Sequence, residues 1–216
     1  MDFARARDIM VESQVRTSDV TDPRILHAMR TLPRERFAPA AKRAFAYGDL
    51  ELDVAPGRTL MRPRDLAKLI QSLAPDRHHR ALEIAGATGY GAAVLAHCCE
   101  RVITLDPDAD LSFAANAAIE SCALANVNAV STKAIDGWGD EAPYDIIVLN
   151  GSAEIVPEAW LNQLAPGGRL GVIVRHGPAG SARIYTKSGD AFAYRAVFDA
   201  APPVAPGLQK PAQFAF

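Results

Sequence analysis

From Arg80 onward, short apolar runs alternate with segments of helical spacing, and this alternation constrains the fold more than any other feature of the chain. The runs predict strands over 81–84, 102–105, 127–132, 146–149 and 170–174, and helices are predicted over 91–99, 108–125 and 157–164. Such alternation is typical of a parallel sheet covered by helices. Two final runs, 182–187 and 191–200, flank Ser188-Gly189, which predicts an antiparallel pair at the end of the sheet.

The N-terminal third of the chain has a different pattern. Apolar residues are loosely spaced as in a helix up to Val15, and Asp22-Pro23 can cap a second helix that runs through Met29. Prolines and Gly57 then interrupt a stretch of roughly thirty residues, 33–63, which is long for a structureless connection and predicts a functional loop. A helix follows this stretch, because four apolar residues share one helical stripe: Leu66, Leu69, Ile70 and Leu73.

The composition fits one globular domain and argues against several classes of partner. The 216 residues are 49% hydrophobic and 22% charged, which is enough for a full core. A net charge of -2 leaves no basic footprint, so we expect neither nucleic acid nor an anionic membrane as a partner. Because no apolar stretch is long enough for a membrane span and no signal core follows Met1, we expect a cytoplasmic protein. The cysteines and histidines lack metal-binding spacing, so no metal is expected.

A turn of small residues follows the first strand of the predicted sheet, at Ala85-Gly-Ala-Thr-Gly89. A strand, a small-residue turn and a helix in this order present backbone N–H groups to a nucleotide-like ligand. In an open parallel sheet the ligand lies beyond the carboxyl ends of the strands, beside this first turn. Asp106 ends the second strand there, and its carboxylate can accept two hydrogen bonds. We therefore predict that the turn and Asp106 lie together in a ligand site.

A long, ordered set of further motifs accompanies this turn. In order they are Met10-Val-Glu-Ser-Gln14, Leu32-Pro-Arg-Glu-Arg-Phe-Ala-Pro39, Gly57-Arg-Thr-Leu-Met-Arg-Pro63, Val102-Ile-Thr-Leu-Asp106, Gly137-Trp138, Ala142-Pro-Tyr-Asp-Ile-Ile-Val148 and Gln163-Leu-Ala-Pro-Gly-Gly-Arg-Leu170. With these motifs, the chain resembles the protein-L-isoaspartate O-methyltransferase family from Met10 to about Val174. The resemblance implies an α/β fold, the Rossmann-like fold of class I S-adenosylmethionine-dependent methyltransferases. This fold has a mostly parallel seven-stranded sheet with an antiparallel strand, here with added N-terminal helices.

The same resemblance implies a domain organisation and an activity. The chain is expected to form one domain over 1–216, with N-terminal helices and a substrate loop in 1–75 and the cofactor core in 76–216. The implied reaction moves a methyl group from S-adenosylmethionine to an isoaspartyl carboxylate in a damaged protein, which is a repair reaction. The residues implied in cofactor binding are Glu83, Ala85, Gly86, Ala87, Gly89, Asp106 and Lys133.

Two of these residues are acids with distinct implied roles. Asp106 matches the family acid that accepts both ribose hydroxyls of the cofactor. Glu83 matches a family acid near the methionine end of the cofactor. An alternative for Glu83 is a structural role, as a strand carboxylate that backbone amides satisfy.

Three cofactor positions depart from the family pattern, and they predict weakened binding. Ala85 and Ala87 stand where the family has glycines, and each costs roughly 1–2 kcal/mol if the backbone there needs a positive φ. Gly86 can lower this cost if the bend shifts by one residue. Lys133 stands where the family has an aspartate that accepts from the adenine amino group, and a lysine has no acceptor. Together these losses amount to roughly 2–5 kcal/mol, or tenfold to several-thousandfold in affinity.

A further departure falls in the implied substrate loop, at Thr59-Leu-Met-Arg-Pro63. The family has Thr-Ile-Ser-x-Pro here, so Met61 stands where a serine hydroxyl would lie beside the carboxylate to be methylated. Thr59 keeps one hydroxyl nearby. Arg62 can clamp a carboxylate with two hydrogen bonds, or it can be a solvated surface arginine. These three residues are the implied catalytic group.

Two classes of function remain open at this point. The first is the S-adenosylmethionine-dependent carboxyl O-methyltransferase. The second is a family member that has kept the fold, has lost the chemistry and serves as a binding or regulatory protein. The resemblance favours the enzyme, whereas the departures at functional positions favour the second class. At the C-terminus, Phe214 and Phe216 are predicted either to dock on the body or to pair with a second chain.

Overall fold

The computed structural model describes residues 2–211, which form two β-sheets. A small antiparallel hairpin pairs β1 (Leu52–Ala55) with β2 (Arg58–Leu60). The large sheet consists of β3 (Arg80–Ile84), β4 (Arg101–Asp106), β5 (Val127–Ser131), β6 (Tyr144–Ala153), β7 (Leu164–His176), β8 (Ala179–Ser188) and β9 (Ala191–Asp199). Its strands lie in the order β5-β4-β3-β6-β7-β8-β9.

Strands β3 to β7 pair in parallel, while β8 runs antiparallel to both β7 and β9. This arrangement confirms the predicted fold class, with its mostly parallel seven-stranded sheet and its antiparallel strand. The chain order reverses at β3, because β4 and β5 extend the sheet on one side and β6 and β7 on the other. A reversal of this kind opens a crevice beyond the carboxyl ends of the strands, where ligands of open α/β sheets bind. The turn after β3 lies at that crevice.

Helices cover both faces of the large sheet. The α-helices of the described residues are α1 (Phe3–Met10), α2 (Pro23–Thr31), α3 (Pro63–Ser72), α4 (Tyr90–Ala96), α5 (Ala109–Ser121) and α6 (Glu158–Asn162). Because side chains alternate along a strand, each strand contributes to two cores. In β3, Ala81 belongs to the cluster that contains residues of α1 to α4, and Leu82 belongs to the cluster around Trp160 of α6.

The N-terminal helices agree with the sequence-based prediction. Asp22 caps α2, since its carboxylate accepts the backbone N–H of Arg24, and Pro23 occupies the first helical position. This helix ends at Thr31 rather than at Met29. The predicted stripe of the next helix is entirely buried: Leu66, Leu69, Ile70 and Leu73.

The stretch 33–63, which shows little periodicity in the sequence, is built from short elements. Two 3-10 helices, Arg34–Phe37 and Ala40–Phe45, precede the β1–β2 hairpin. None of these elements is long enough for a repeating apolar pattern, so the sequence gives no sign of them. The hairpin contacts β6, and this contact brings it to the crevice beside β3.

Within residues 2–211, no helix has the length and apolar character that a membrane crossing requires. The two predicted aromatic contacts of the C-terminus, at Phe214 and Phe216, lie outside the described residues.

Candidate active site

The turn between β3 and α4 contains three residues in the left-handed backbone region. Ala85, Ala87 and Gly89 have φ angles of 55°, 52° and 83°. Both alanines therefore have a positive φ, and each places a Cβ where glycine is favoured, at a cost of roughly 1–2 kcal/mol. The turn therefore has three left-handed residues, two of which are alanines.

Gly86 does not take over the bend, so the compensation expected at this residue is wrong. Its φ lies outside the left-handed region, and the glycine is needed for another reason. A Cβ added to Gly86 would lie 1.9 Å from Oγ1 of Thr104 and 2.6 Å from Oε2 of Glu83. The backbone passes so close to these two buried side chains that only glycine fits.

Glu83 makes the contacts of the structural alternative, and its cofactor role stays a prediction. The residue is fully buried in β3, and its Oε2 accepts the backbone N–H of Ala92 (3.0 Å) and the hydroxyl of Thr104 (2.8 Å). Its other oxygen, Oε1, has no hydrogen-bond partner among residues 2–211. Burial raises the pKa of this carboxyl to about 7, against the opposing effect of the two hydrogen bonds. One oxygen is thus satisfied by the protein, and the other is buried without a partner among the described residues.

Asp106 and the turn lie together, as the sequence predicts. The backbone N–H of Ala87 donates to Oδ2 of Asp106 over 3.0 Å, and the N–H of Asp108 donates to Oδ1 over 3.0 Å. The carboxylate is only 2% exposed. Two backbone amides therefore fix Asp106 at the end of β4, directly beside the turn.

Arg58 contacts the candidate site and was not predicted to do so from the sequence. It extends from β2, and its Nε donates to both oxygens of Asp106, at 3.0 Å to Oδ2 and 3.3 Å to Oδ1. The guanidinium is 6% exposed, and its Nη1 has no partner among the described residues. The only sequence signal is a charged residue beside Gly57 in the implied substrate loop. Its partner lies 48 positions away, and local patterns do not reveal a contact of that range.

Asn150 joins the hairpin to the turn and was also missed. Asn150 lies in β6, one residue beyond the part of that strand that pairs with β3, and its Nδ2 donates to the carbonyl oxygens of Thr59 and Ala85, each over 3.0 Å. On the other side of the turn, the hydroxyl of Thr88 donates to the carbonyl of Phe37. The segment 37–60 thereby covers the turn, so that all five residues 85–89 are buried in the protein alone.

The three implied catalytic residues lie in different environments. Thr59 is buried beside the turn through its carbonyl contact with Asn150, and the side chain of Met61 is fully buried in the apolar cluster of the N-terminal helices. Arg62 is 41% exposed and pairs with Glu51 at 3.9 Å. It lines a cavity of about 140 Å³ that contains no residue of the turn. The structure therefore brings Thr59 to the turn and does not bring Arg62 there.

Lys133 lies at the same edge of the sheet as Asp106. The register of β4 and β5 pairs Asp106 with Ser131, and Lys133 follows two residues later as an exposed side chain. A lysine at this point offers donors only. Within residues 2–211, no group of three or more His, Cys, Asp or Glu side chains is arranged to hold a metal ion.

Comparison with known proteins gives one family. The family profile described as protein-L-isoaspartate(D-aspartate) O-methyltransferase matches residues 5–199. Protein-L-isoaspartate O-methyltransferase 1 of Syntrophobacter fumaroxidans is 37% identical over 174 residues, which cover 81% of each chain. Protein-L-isoaspartate O-methyltransferase of Opitutus terrae is 38% identical over 175 residues, which cover 81% of this chain and 74% of the relative.

Solved structures agree with the sequence comparisons. One named protein-L-isoaspartate O-methyltransferase has a TM-score of 0.82 and 25% identity, covering 94% of this chain and 67% of that chain. A second, a putative protein-L-isoaspartate O-methyltransferase from Plasmodium falciparum in complex with S-adenosyl-L-homocysteine, has a TM-score of 0.78 and 18% identity, covering 92% of this chain and 97% of that chain. At this identity the second structure supports the fold alone.

Proposed function

The chain belongs to the protein-L-isoaspartate(D-aspartate) O-methyltransferase family, and we propose that it transfers a methyl group from S-adenosylmethionine to an isoaspartyl carboxylate of damaged proteins. The observation that carries this proposal is the hydrogen bond from Ala87 to Asp106, which joins the left-handed turn to the acid at the end of β4. Relatives named for this activity align over four fifths of the chain. They favour the enzyme over a binding protein that has lost its chemistry.

The residues of the turn fit an adenosyl cofactor. Oε1 of Glu83 is a buried acceptor with no partner among the described residues, as a site for a donor group requires. A Cβ at Gly86 or Gly91 would collide with a Glu83 oxygen, at 2.6 Å and 1.9 Å, so the backbone around this acid has no room for side chains. We assign Asp106 to the ribose, Ala85–Gly89 to the adenosyl backbone contacts and Glu83 to the methionine end.

The chemistry asked of the protein itself is modest. S-adenosylmethionine supplies an activated methyl group on a sulfonium, and an ionised carboxylate is already a nucleophile. What remains is to align the two reactants. We assign this positioning to the hairpin, whose Thr59 carbonyl is held 3.0 Å from Asn150. Of the implied catalytic residues we retain Thr59 as the one nearest the substrate carboxylate, because Met61 is fully buried in the apolar cluster.

Arg62 and Lys133 have peripheral roles in this proposal. Arg62 stands on the exposed side of the same segment, where its positive charge can attract a carboxylate substrate. Lys133, at the adenine side, lacks the acceptor of its family counterpart and lowers cofactor affinity. We further propose that the protein acts in the cytoplasm, in keeping with its free cysteines, of which Cys98 and Cys99 are buried with a pKa raised by burial to about 12.

A pair of measurements tests the proposed function. Calorimetry with S-adenosylhomocysteine measures cofactor-site binding, and transfer of labelled methyl from S-adenosylmethionine to an isoaspartyl peptide measures the reaction. The matched control peptide carries an ordinary aspartyl residue at the same position. We expect binding and labelling of the isoaspartyl peptide alone. Binding without labelling of either peptide would reject the proposed substrate.

A further inference from the structure

Both carboxylate oxygens of Asp106, which we assign to the ribose, already accept hydrogen bonds from the protein itself. A carboxylate offers about four lone-pair positions. In Asp106, Oδ1 accepts from the N–H of Asp108, Oδ2 accepts from the N–H of Ala87, and the single Nε–H of Arg58 lies between the two oxygens and is shared by them. With 2% exposure, the carboxylate has no open side for a ligand. Two ribose hydroxyls can bind Asp106 only if one of these donors leaves.

Arg58 is the donor that can leave. The N–H groups of Ala87 and Asp108 belong to the turn and to the N-cap of α5, which shape the site, so their loss would dismantle it. Arg58 instead lies on a hairpin of two short strands, whose register is interrupted between Asp53 and Ala55. It is a side chain on a long flexible stem, and rotating it away leaves the turn intact.

Within the described residues, the Arg58–Asp106 ion pair is also left with an unsatisfied hydrogen-bond donor. Nη1 of Arg58 is buried without a partner among the described residues, although a guanidinium carries five N–H donors. A desolvated pair with an unsatisfied donor loses much of its Coulombic gain to the cost of burial. A neutral ligand that hydrogen-bonds Asp106, together with hydration of the released guanidinium, can therefore replace the pair.

We propose that Arg58 is an affinity-determining residue that competes with the ribose of the cofactor for Asp106, so that cofactor binding requires the β1–β2 hairpin to release this carboxylate. The inference rests on the proposed function only for the identity of the ligand as an adenosyl compound. Arg58 does not touch the transferred methyl group in this scheme. Its effect is on cofactor affinity, and it is separate from the alanine and lysine departures at positions 85, 87 and 133.

Binding of S-adenosylhomocysteine, measured by calorimetry, tests the competition directly. Arg58→Gln and Arg58→Met keep most of the stem and remove the charge, and each should bind at least about tenfold more tightly than the wild type. Asp53→Asn is the matched control, because it removes an exposed ion pair with Lys42 on the same hairpin and should bind as the wild type does. Thermal unfolding confirms that each variant is folded.

A double-variant comparison separates competition from a general loosening of the hairpin. In an Asp106→Asn background the ion pair is absent, so adding Arg58→Gln should give no further gain in affinity. A gain of equal size in both backgrounds would show that Arg58 acts without Asp106, and this result overturns the inference. Unchanged or weaker binding by both Arg58 variants also overturns it, including the case in which no variant binds.

Methyl transfer to the isoaspartyl peptide decides the proposed function separately. Tighter binding by the Arg58 variants without any transfer supports competition at Asp106 and rejects the substrate. Transfer by the wild type, with no change of affinity in the Arg58 variants, supports the proposed substrate and rejects competition at Asp106.

Discussion

The backbone N–H of Ala87 donates a hydrogen bond of 3.0 Å to Oδ2 of Asp106, which ties the left-handed turn after β3 to the end of β4. This contact fixes the position of the acid and the conformation of the turn together. It also helps to hold the turn in a conformation with three left-handed residues, although two of them are alanines. The donor to Asp106 is a backbone group, so its geometry depends on φ and ψ and not on the side chain.

Replacing either left-handed alanine of the turn should stabilise the protein. Ala85→Gly and Ala87→Gly each remove a Cβ from a residue with φ above 50°, and we expect the free energy of unfolding to rise by about 1 kcal/mol for each. Chemical denaturation measures this change. In the buried helix α4, Ala93→Gly should lower stability by about 1 kcal/mol, because its backbone is helical.

Ala123→Gly provides the control for cofactor binding. Ala123 also has a left-handed backbone, with φ of 55°, at the end of α5 and exposed to solvent. Its replacement should raise stability as much as the two turn variants do, yet leave S-adenosylhomocysteine affinity unchanged. Equal effects of Ala123→Gly and Ala87→Gly on affinity would mean that strain in the turn has no bearing on the cofactor site.

Asp106→Ala should destabilise the fold as well as weaken cofactor binding. The substitution leaves the guanidinium of Arg58 buried and uncompensated, and breaking a buried pair in this way costs about 3–5 kcal/mol. Arg58→Met in the same chain should recover a large part of this loss, because it removes the orphaned charge. Denaturation curves of the two single variants and the double variant measure the coupling free energy between Asp106 and Arg58. Additive losses would show that the two side chains do not interact.

The sheet and its turn could be predicted from the sequence because their determinants are local. An apolar run ending in Asp106, and a run of small residues after Ile84, each describe one stretch of chain. The rule for ligand position in parallel sheets then brings the two stretches together without further information. The positive φ of Ala85 could not be predicted from its residue type, since alanine itself does not favour a positive φ.

The burial of the turn under the segment 37–60 could not be predicted, because it depends on contacts between residues that are far apart in the sequence. Arg58 and Asp106 are 48 positions apart, and Asn150 and Thr59 are 91 apart. Nothing local in Gly57-Arg58-Thr59 shows that this segment forms a strand, or which way its side chains point. The burial of Met61 was invisible for the same reason.

That burial changes the expected effect of Met61→Ser. The methionine side chain is 0% exposed in the apolar cluster, and its carbonyl accepts a hydrogen bond from the buried Arg34. Shortening it to a polar side chain should cost about 2–5 kcal/mol of stability. Turnover should therefore be compared at a temperature where the variant is folded, as judged by circular dichroism. Lys133→Asp, at an exposed position, should change stability by less than about 0.5 kcal/mol. A loss for Met61→Ser as small as that expected for Lys133→Asp would contradict the burial of Met61.

The buried acid of β3 predicts a pH dependence of stability. The pKa of Glu83 is raised by burial from 4.5 to about 7, so the ionised carboxylate is less favourable in the folded protein than in the unfolded chain. The sign follows from proton binding: the folded state binds this proton more tightly between these two values, so stability is lost as pH rises from about 4.5 through about 7. Glu51, also with a pKa raised by burial to about 7, acts in the same direction.

Glu83→Gln removes this titration while its side-chain oxygen can still accept from Ala92 and Thr104. We expect the advantage of the variant over the wild type in free energy of unfolding to grow by about 1–3 kcal/mol between pH 5 and pH 8. Urea denaturation at several pH values measures the difference, and Glu51→Gln should show the same trend to a smaller extent, because its side chain is less buried. A difference between Glu83→Gln and wild type that stays constant over this range would mean that Glu83 is ionised throughout. It would then have to be held by a cation that none of its contacts in the structure supplies.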